Sequence, residues 1–263
     1  MEPLQTLFAA AELGGVLPTD LRRLYGGELE LASGSLSANF VTSIDGVAAL
    51  EQRRGSGSAI SSRSPADRFI MGLLRALADA VITGAGTLRS EGGQRWSAAQ
   101  LGPPEASGYR SLATRDPLLV VVTAGGQIDP AEPALAEGAL ILTSDATAPG
   151  LRRRLPGTCE VKSLGGSPLR AARIKEAVLA HGCRRLLTEG GPHLLGSFVA
   201  DHALDELFLS MAPVLAGRDL GADRLGLLAG LALPAGGFAT AHLRSVKASG
   251  SHLFLRYAFD RPA

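Results

Sequence analysis

The sequence predicts an α/β protein with a mixed, mostly parallel central sheet between layers of helices. Three observations point there. Short apolar runs alternate with helical segments through the middle of the chain, the pattern of parallel strands joined by crossover helices. Of the 263 residues, 46% are hydrophobic but only 5% aromatic, and 33 are glycine, so the core is aliphatic and the turns are tight. Near the carboxyl end, three strand-like segments follow one another with few helices between them, which predicts antiparallel strands added to the same sheet.

Residues 1–34 read as a leader arm, with a short helix near Leu4 to Leu13 and then a link punctuated by Pro and Gly. Residues 35–263 read as one domain. Its first strand runs from Leu36 through Thr42 and stops at the turn pair Asp45-Gly46. Gly55 to Ser58 reads as a loop. The next helix is strongly marked: Ser64 can cap it, Pro65 suits its first position, and Asp67 favours its first turn. Phe69, Ile70, Leu73, Leu74 and Leu77 then recur at helical spacing.

Ala80 to Thr83 is a short buried strand. Residues 90–108 are an irregular stretch holding the single tryptophan, Trp96, and long irregular stretches inside domains are often functional. Leu118 to Thr123, Ala139 to Thr143 and Cys159 to Leu164 read as strands. A helix follows from Ser167-Pro168 to His181-Gly182, then a strand from Arg185 to Thr188. Gly191-Pro192 opens a helix carrying Leu194, Leu195, Phe198 and Val199. The closing strands are Glu206 to Val214, Ala241 to Ala248 and Leu253 to Phe259.

The formal net charge of +1 offers no basic face for nucleic acid. No apolar run approaches the roughly 20 residues of a membrane span, and no signal-peptide pattern opens the chain. A cytoplasmic protein is the simplest expectation. Cys159 and Cys183 form no CxxC motif and cannot cage a metal alone. Several chemistries lack their residues. Zinc deamination of a base needs H-x-E followed by P-C-x-x-C, and zinc proteolysis needs HExxH. An esterase elbow needs G-x-S-x-G. None occurs.

Two glycine turns stand out instead: Thr83-Gly84-Ala85-Gly86-Thr87 and Glu189-Gly190-Gly191-Pro192, each directly after a short apolar strand. Glycine there lets backbone approach a ligand, and the free N–H groups of a helix start can bind phosphate. Neither is a Rossmann fingerprint, because Arg89 occupies the third glycine position, nor a Walker A loop. Each could equally be a simple strand-to-helix turn. Asp45 is either a turn residue or a carboxylate at a strand end, where open α/β sheets place active sites. Glu189 is either an acceptor for a substrate N–H or an acid favouring a helix start.

Taken in order, Phe40-Val41-Thr42-Ser43-Ile44-Asp45-Gly46, Leu73-Leu74-Arg75-Ala76-Leu77-Ala78-Asp79-Ala80, Gly84-Ala85-Gly86-Thr87 and Glu189-Gly190-Gly191-Pro192-His193-Leu194 resemble the pyrimidine reductases of riboflavin biosynthesis. Asp205-Glu206-Leu207 leading to Ala212-Pro213-Val214-Leu215-Ala216-Gly217 extends the likeness. The resemblance implies a dihydrofolate-reductase-like fold, an NADPH site and a homodimer.

By the same resemblance, Val41, Thr83, Gly84, Gly86, Thr87, Gly190, Gly191, Pro192, His193, Leu194 and Leu195 are expected at the dinucleotide. Ser43, Arg75, Glu189 and Arg95 are expected at the substrate, and Asp45 is the candidate to orient it and assist protonation. The implied reaction is hydride transfer from NADPH to the ribosyl C1 of an aminouracil ribotide. Departures lie on the substrate side. An Asp-Asp-Pro-x-Leu-x-x-Arg stretch of the family is replaced by Leu88 to Trp96, where Glu91 falls at an acidic position and Arg89 and Arg95 are candidate arginines. A strand-end serine is replaced by Ala124, and the deaminase half is absent. Those departures leave a pterin reductase as the main rival and a non-catalytic NADPH sensor as a third reading.

Overall fold

The structure, a computed structural model, describes residues 1–10, 14–15, 17–50, 55–93, 96–98, 108–112, 115–218, 224–234 and 237–260. The chain runs β1 (Gln5–Ala9), α1 (Thr19–Tyr25), β2 (Leu36–Thr42), β3 (Val47–Ala49), α2 (Ser56–Ile60), α3 (Pro65–Leu77), β4 (Ala80–Gly84), α4 (Ala85–Ser90) and α5 (Tyr109–Leu112). It continues through β5 (Leu118–Thr123), β6 (Leu140–Thr143), α6 (Ala148–Arg154), β7 (Glu160–Ser163), α7 (Ala171–Ala180), β8 (Leu186–Thr188) and α8 (Pro192–Ala200). It closes with β9 (Glu206–Met211), β10 (Leu225–Gly226), β11 (Ala241–Ser249) and β12 (His252–Phe259).

Ten strands make one sheet in the order β1-β11-β12-β9-β2-β8-β4-β5-β6-β7, and β3 pairs with β10 beside it. Every neighbouring pair from β9 to β7 is parallel. The pairs β9–β12, β12–β11 and β11–β1 are antiparallel. Successive residues of a strand point to opposite faces, and here each face meets its own helices. Val81, Val121, Ile141 and Leu187 share one buried cluster with α1 and α3. Ala80, Ile82, Val120, Leu140 and Leu142 share the other with α7 and α8. The predicted layered α/β architecture is therefore present.

Helix α3 forms as its signals predict. The Ser64 hydroxyl accepts the Asp67 amide at 3.3 Å, and Pro65 is the first helical residue. Phe69, Leu73 and Leu74 are fully buried, each contributing about 1.5–3 kcal/mol over an exposed side chain. The burial directs the helix's last turn, with Arg75, toward the sheet.

Four expectations change. The leader segment expected as a helix near Leu4 is strand β1, held by the edge of β11 (Gln5 opposite Ala248, Ala9 opposite Ser245). Leu7 and Phe8 remain 53% and 45% exposed, so pairing of the backbone, not burial of an apolar stripe, sets the conformation. Leu13 lies outside the described residues. Gly55 to Ser58 opens helix α2 rather than forming only a loop. Helix α7 starts at Ala171, three residues after Pro168, with Arg170 before it. Finally, β9 lies parallel to β2, so only β11 and β12 of the three closing strands are antiparallel to their neighbours throughout.

Candidate active site

Strand β8 inserts between β2 and β4, all three parallel, although it comes much later in sequence. That crossing places two strand-to-helix turns side by side at the carboxyl ends of β4 and β8, the usual ligand position in open parallel sheets. The two glycine motifs therefore meet in space. A Cβ added to Gly191 would lie 3.3 Å from the Thr87 hydroxyl oxygen, whereas one added to Gly84 would meet nothing within 4 Å.

The hydrogen bonds of these turns show which amides the helix leaves unused. Leu194 and Leu195 both donate their amides to the Gly191 carbonyl, at 3.0 and 3.1 Å. Pro192 has no N–H. Among the residues that open α8, the Gly191 and His193 amides are the ones the helix itself does not use. The first amides of α4 are likewise left by the helix ladder. Leu195 is 1% exposed and packs in the core, so its side chain does not reach a ligand.

A cleft of about 250 Å³ opens in front of these turns, lined by Val41, Thr87, Gly190, Gly191 and Pro192. Arg75, Glu189, Asp67, Glu91, Ser61 and Trp96 line it as well. Arg75 comes from α3 and Glu189 from the end of β8. They meet in a buried ion pair, with the Arg75 Nη2 to Glu189 Oε2 distance 2.5 Å and Nε to Oε2 3.0 Å. The guanidinium carbon also lies 5.0 Å from the centre of the Trp96 ring. Arg75 is thus clamped between a carboxylate and an aromatic face. Such a pair fixes geometry, and loss of either member leaves a buried charge behind.

Two further carboxyls enter the cleft. Asp67 is half-buried, and burial raises its pKa against the lowering effect of hydrogen bonds from Ser210 and Ser61 and of nearby His252. Glu91 is also raised, by burial first, against a backbone hydrogen bond from Gly55 and the Arg75 charge. Glu91 was legible at its acidic position. Asp67 was read only as a helix-starting acid; its proximity to Ser210 and His252, from β9 and β12, has no signal in local sequence.

Other expected site residues lie elsewhere. Asp45 and Ser43 do not line the cleft. The Ser43 hydroxyl donates to Asp45 at 2.5 Å and accepts the Val47 amide at 3.0 Å. The Asp45 carboxylate also accepts the amides of Ala216 and Gly217 at 3.0 and 2.7 Å. The Ser43 bond and then the Ala216 amide lower its pKa to about 2. These bonds make Asp45 a brace between two loops.

Thr83 is fully buried on β4, its hydroxyl without a partner, and Gly84 and Gly86 shape the turn without lining the cleft. His193 and Arg89 are exposed, and Arg89 turns away to donate to the Gln127 carbonyl at 2.6 Å. Arg95 lies outside the described residues. A larger cavity of about 550 Å³ opens at the opposite, amino ends of β5 to β8, beside Leu118, Leu140, Glu160 and Cys183. It contains neither glycine turn, so the smaller cleft is the better candidate site. No described helix is long and apolar enough to cross a membrane.

Comparison with known proteins agrees with this fold. The RibD C-terminal domain family model matches residues 35–249. A pyrimidine reductase-like protein from Corynebacterium diphtheriae has a similar structure, with TM-score 0.67 and 21% identity over 93% of this chain and 100% of that one. A Thermotoga maritima diaminohydroxyphosphoribosylaminopyrimidine deaminase/5-amino-6-(5-phosphoribosylamino)uracil reductase gives 0.63 and 18%, over 87% of this chain but only 57% of that longer one. The Saccharomyces cerevisiae riboflavin biosynthesis reductase Rib7 gives 0.58 and 8%, over 89% and 94%. No curated protein sequence matches. At these identities the structures speak for the fold. The family match, which covers most of the chain, identifies it as a member of the riboflavin-biosynthesis pyrimidine reductase family, defined by the RibD C-terminal domain.

Proposed function

We propose that the protein is an NADPH-dependent reductase acting on 5-amino-6-(5-phosphoribosylamino)uracil. One observation carries the reading: Thr87 from the first glycine turn, Gly190 to Pro192 from the second, and the buried Arg75–Glu189 pair all line a single cleft. The cradle fits a dinucleotide. Space is open over Gly84, Thr87 stands beside Gly191, and the amides that α4 and α8 leave unused offer phosphate ligands. When bound, the cofactor supplies the hydride; the protein supplies position and electrostatics.

Thr87 and the Gly191 and His193 amides would hold the pyrophosphate, and Val41 would lie against the nicotinamide side. Glu189, oriented by Arg75 and Trp96, would accept a ring N–H of the substrate. Arg89 and Arg154 donate to neighbouring carbonyls, Gln127 and Gly126, of the loop after β5. Their remaining N–H groups would favour a cofactor carrying a 2′-phosphate. A cytoplasmic homodimer is part of the same reading.

A pterin is the second reading, favoured by the three carboxyls in the cleft, Asp67, Glu91 and Glu189, which suit a ring rich in N–H donors. The deciding experiment follows NADPH oxidation with the aminouracil ribotide and dihydrofolate side by side. Faster turnover of the ribotide supports the proposal. Turnover of dihydrofolate alone transfers the assignment to a pterin. Tight NADPH binding with no oxidation of either would leave a sensor.

A further inference from the structure

Reduction of a carbon–nitrogen double bond requires a proton as well as a hydride, and the position expected to assist it, Asp45, lies outside the cleft with its carboxylate already bonded. We infer that Asp67 is the proton donor of this site, delivering its carboxyl proton to the nitrogen of the bond being reduced. The inference rests on the reductase reading above and is indifferent to whether the substrate is a ribotide or a pterin.

Asp67 meets the geometric demand. It sits in the first turn of α3 and lines the same cleft as Thr87, Gly191 and Glu189, so donor and proposed hydride source face one space. The other carboxyls are worse placed to give a proton. Glu189 is held by Arg75 through three hydrogen bonds, which occupy its oxygens as acceptors. Glu91 accepts a backbone hydrogen bond from Gly55 and lies within the field of Arg75.

Asp67 has no comparable cation against it. Arg68, its neighbour on α3, also lines the cleft but is exposed. From α2 and β9 it meets the hydroxyls of Ser61 and Ser210, and from β12 it faces His252, whose Nε2 lies 3.1 Å from the Ser61 carbonyl. Glu189 adds negative charge nearby. Burial and that carboxylate favour the protonated acid, and burial is the larger cause.

The step balances. Hydride leaves the reduced nicotinamide and forms a C–H bond, the C=N π bond breaks toward nitrogen, and an N–H bond forms as the Asp67 O–H bond breaks. The nicotinamide is oxidised, the substrate gains two electrons and two hydrogens, and Asp67 regains a proton from solvent.

The test is Asp67→Asn beside Glu91→Gln and His252→Gln, with kcat read across pH, NADPH binding read by nicotinamide fluorescence, and infrared difference spectra taken between acid and alkaline pH. Because the donor must be protonated, turnover falls as pH rises through its raised pKa. Asp67→Asn should lower kcat by about 10²-fold or more, abolish that alkaline limb, leave NADPH binding intact and erase a protonated-carboxyl band. An alkaline limb that survives in Asp67→Asn, or that disappears instead in Glu91→Gln or His252→Gln, overturns the inference. Should the wild type bind NADPH yet turn over neither substrate, the reductase reading fails separately. The infrared band then decides: its absence from the wild type, or its persistence in Asp67→Asn, removes the acid that the inference requires.

Discussion

The two walls of the cleft are built differently. The wall assigned to the dinucleotide is built by two turns at the ends of adjacent strands β4 and β8: Gly84 and Gly86 shape the first, which reaches the cleft through Thr87, and Gly190 to Pro192 form the second. The other wall, the rest of the lining, is side chain: Arg75 and Asp67 from α3, Glu189 after β8, Glu91 after α4, and Trp96. A backbone wall is specified by glycine and turn chemistry within a few residues. A side-chain wall is specified by tertiary contacts, such as the Arg75–Glu189 pair across 114 positions of sequence.

Breaking the side-chain wall has the largest expected effect. Glu189→Ala leaves the Arg75 cation buried without its carboxylate, which should cost about 3–5 kcal/mol in stability and abolish turnover. Chemical denaturation and the NADPH assay read the two. Glu189→Gln, which keeps shape and some hydrogen bonding, should fold better than Glu189→Ala yet remain poorly active. Equal stability for the two variants would show that the ion pair does not organise this wall.

The next effect sharpens the backbone wall. Arg89→Ala with Arg154→Ala should weaken NADPH by about tenfold, or 1.4 kcal/mol, and leave NADH nearly unchanged. Parallel fluorescence titrations measure both. An equal loss for the two dinucleotides would place the 2′-phosphate elsewhere.

A smaller effect separates brace from catalyst. The folded pKa of Asp45, about 2, lies below its ordinary 3.8, so the stability it lends is full above about pH 4 and is lost as pH falls toward 2. Asp45→Asn should flatten that part of the acid unfolding curve. The pH profile of turnover near neutrality should not move, and a moved profile would return Asp45 to the chemistry.

The smallest effect lies far from both walls. Lys247 donates to Thr6 and the Gly26 carbonyl at 2.9 Å each, and burial first, then Arg256, lowers its pKa from 10.5 to about 8. The unfolded chain holds that proton longer, so this group raises stability as pH climbs from about 8 toward 10. Above that, Tyr25 opposes it, because burial raises its pKa to about 12 and the fold resists its ionisation. Lys247→Met should remove the rise in Tm between those pH values.

The same contrast explains what the sequence disclosed. Helix α3, strand β2 and the glycine turns carry their instructions locally: the Ser64 cap, the Pro65 start and the short apolar strands before each glycine. The leader did not, because nothing in Gln5 to Ala9 announces that the edge of β11 waits for a partner. Asp45 is ambiguous for a related reason. A strand-end Asp-Gly pair looks alike whether the carboxylate faces a substrate or, as here, the amides of Ala216 and Gly217. Asp67 hid in the reverse way, since a first-turn acid is an ordinary helix signal and only folding brings Ser210 and His252 to it.

The central claim, that the two glycine turns together hold the dinucleotide, is tested most directly by titrating NADPH against Gly191→Val. Gly191 has φ −67 and ψ 174, a backbone conformation open to any residue, and its added Cβ would point at Thr87 from 3.3 Å. Thr87 must give way by a few tenths of an ångström, so the variant should fold with a modest loss in Tm while its Kd for NADPH rises by about tenfold or more, a loss of about 1.4 kcal/mol or greater. An unchanged Kd in a fully folded variant would contradict the claim and place the dinucleotide outside this cleft.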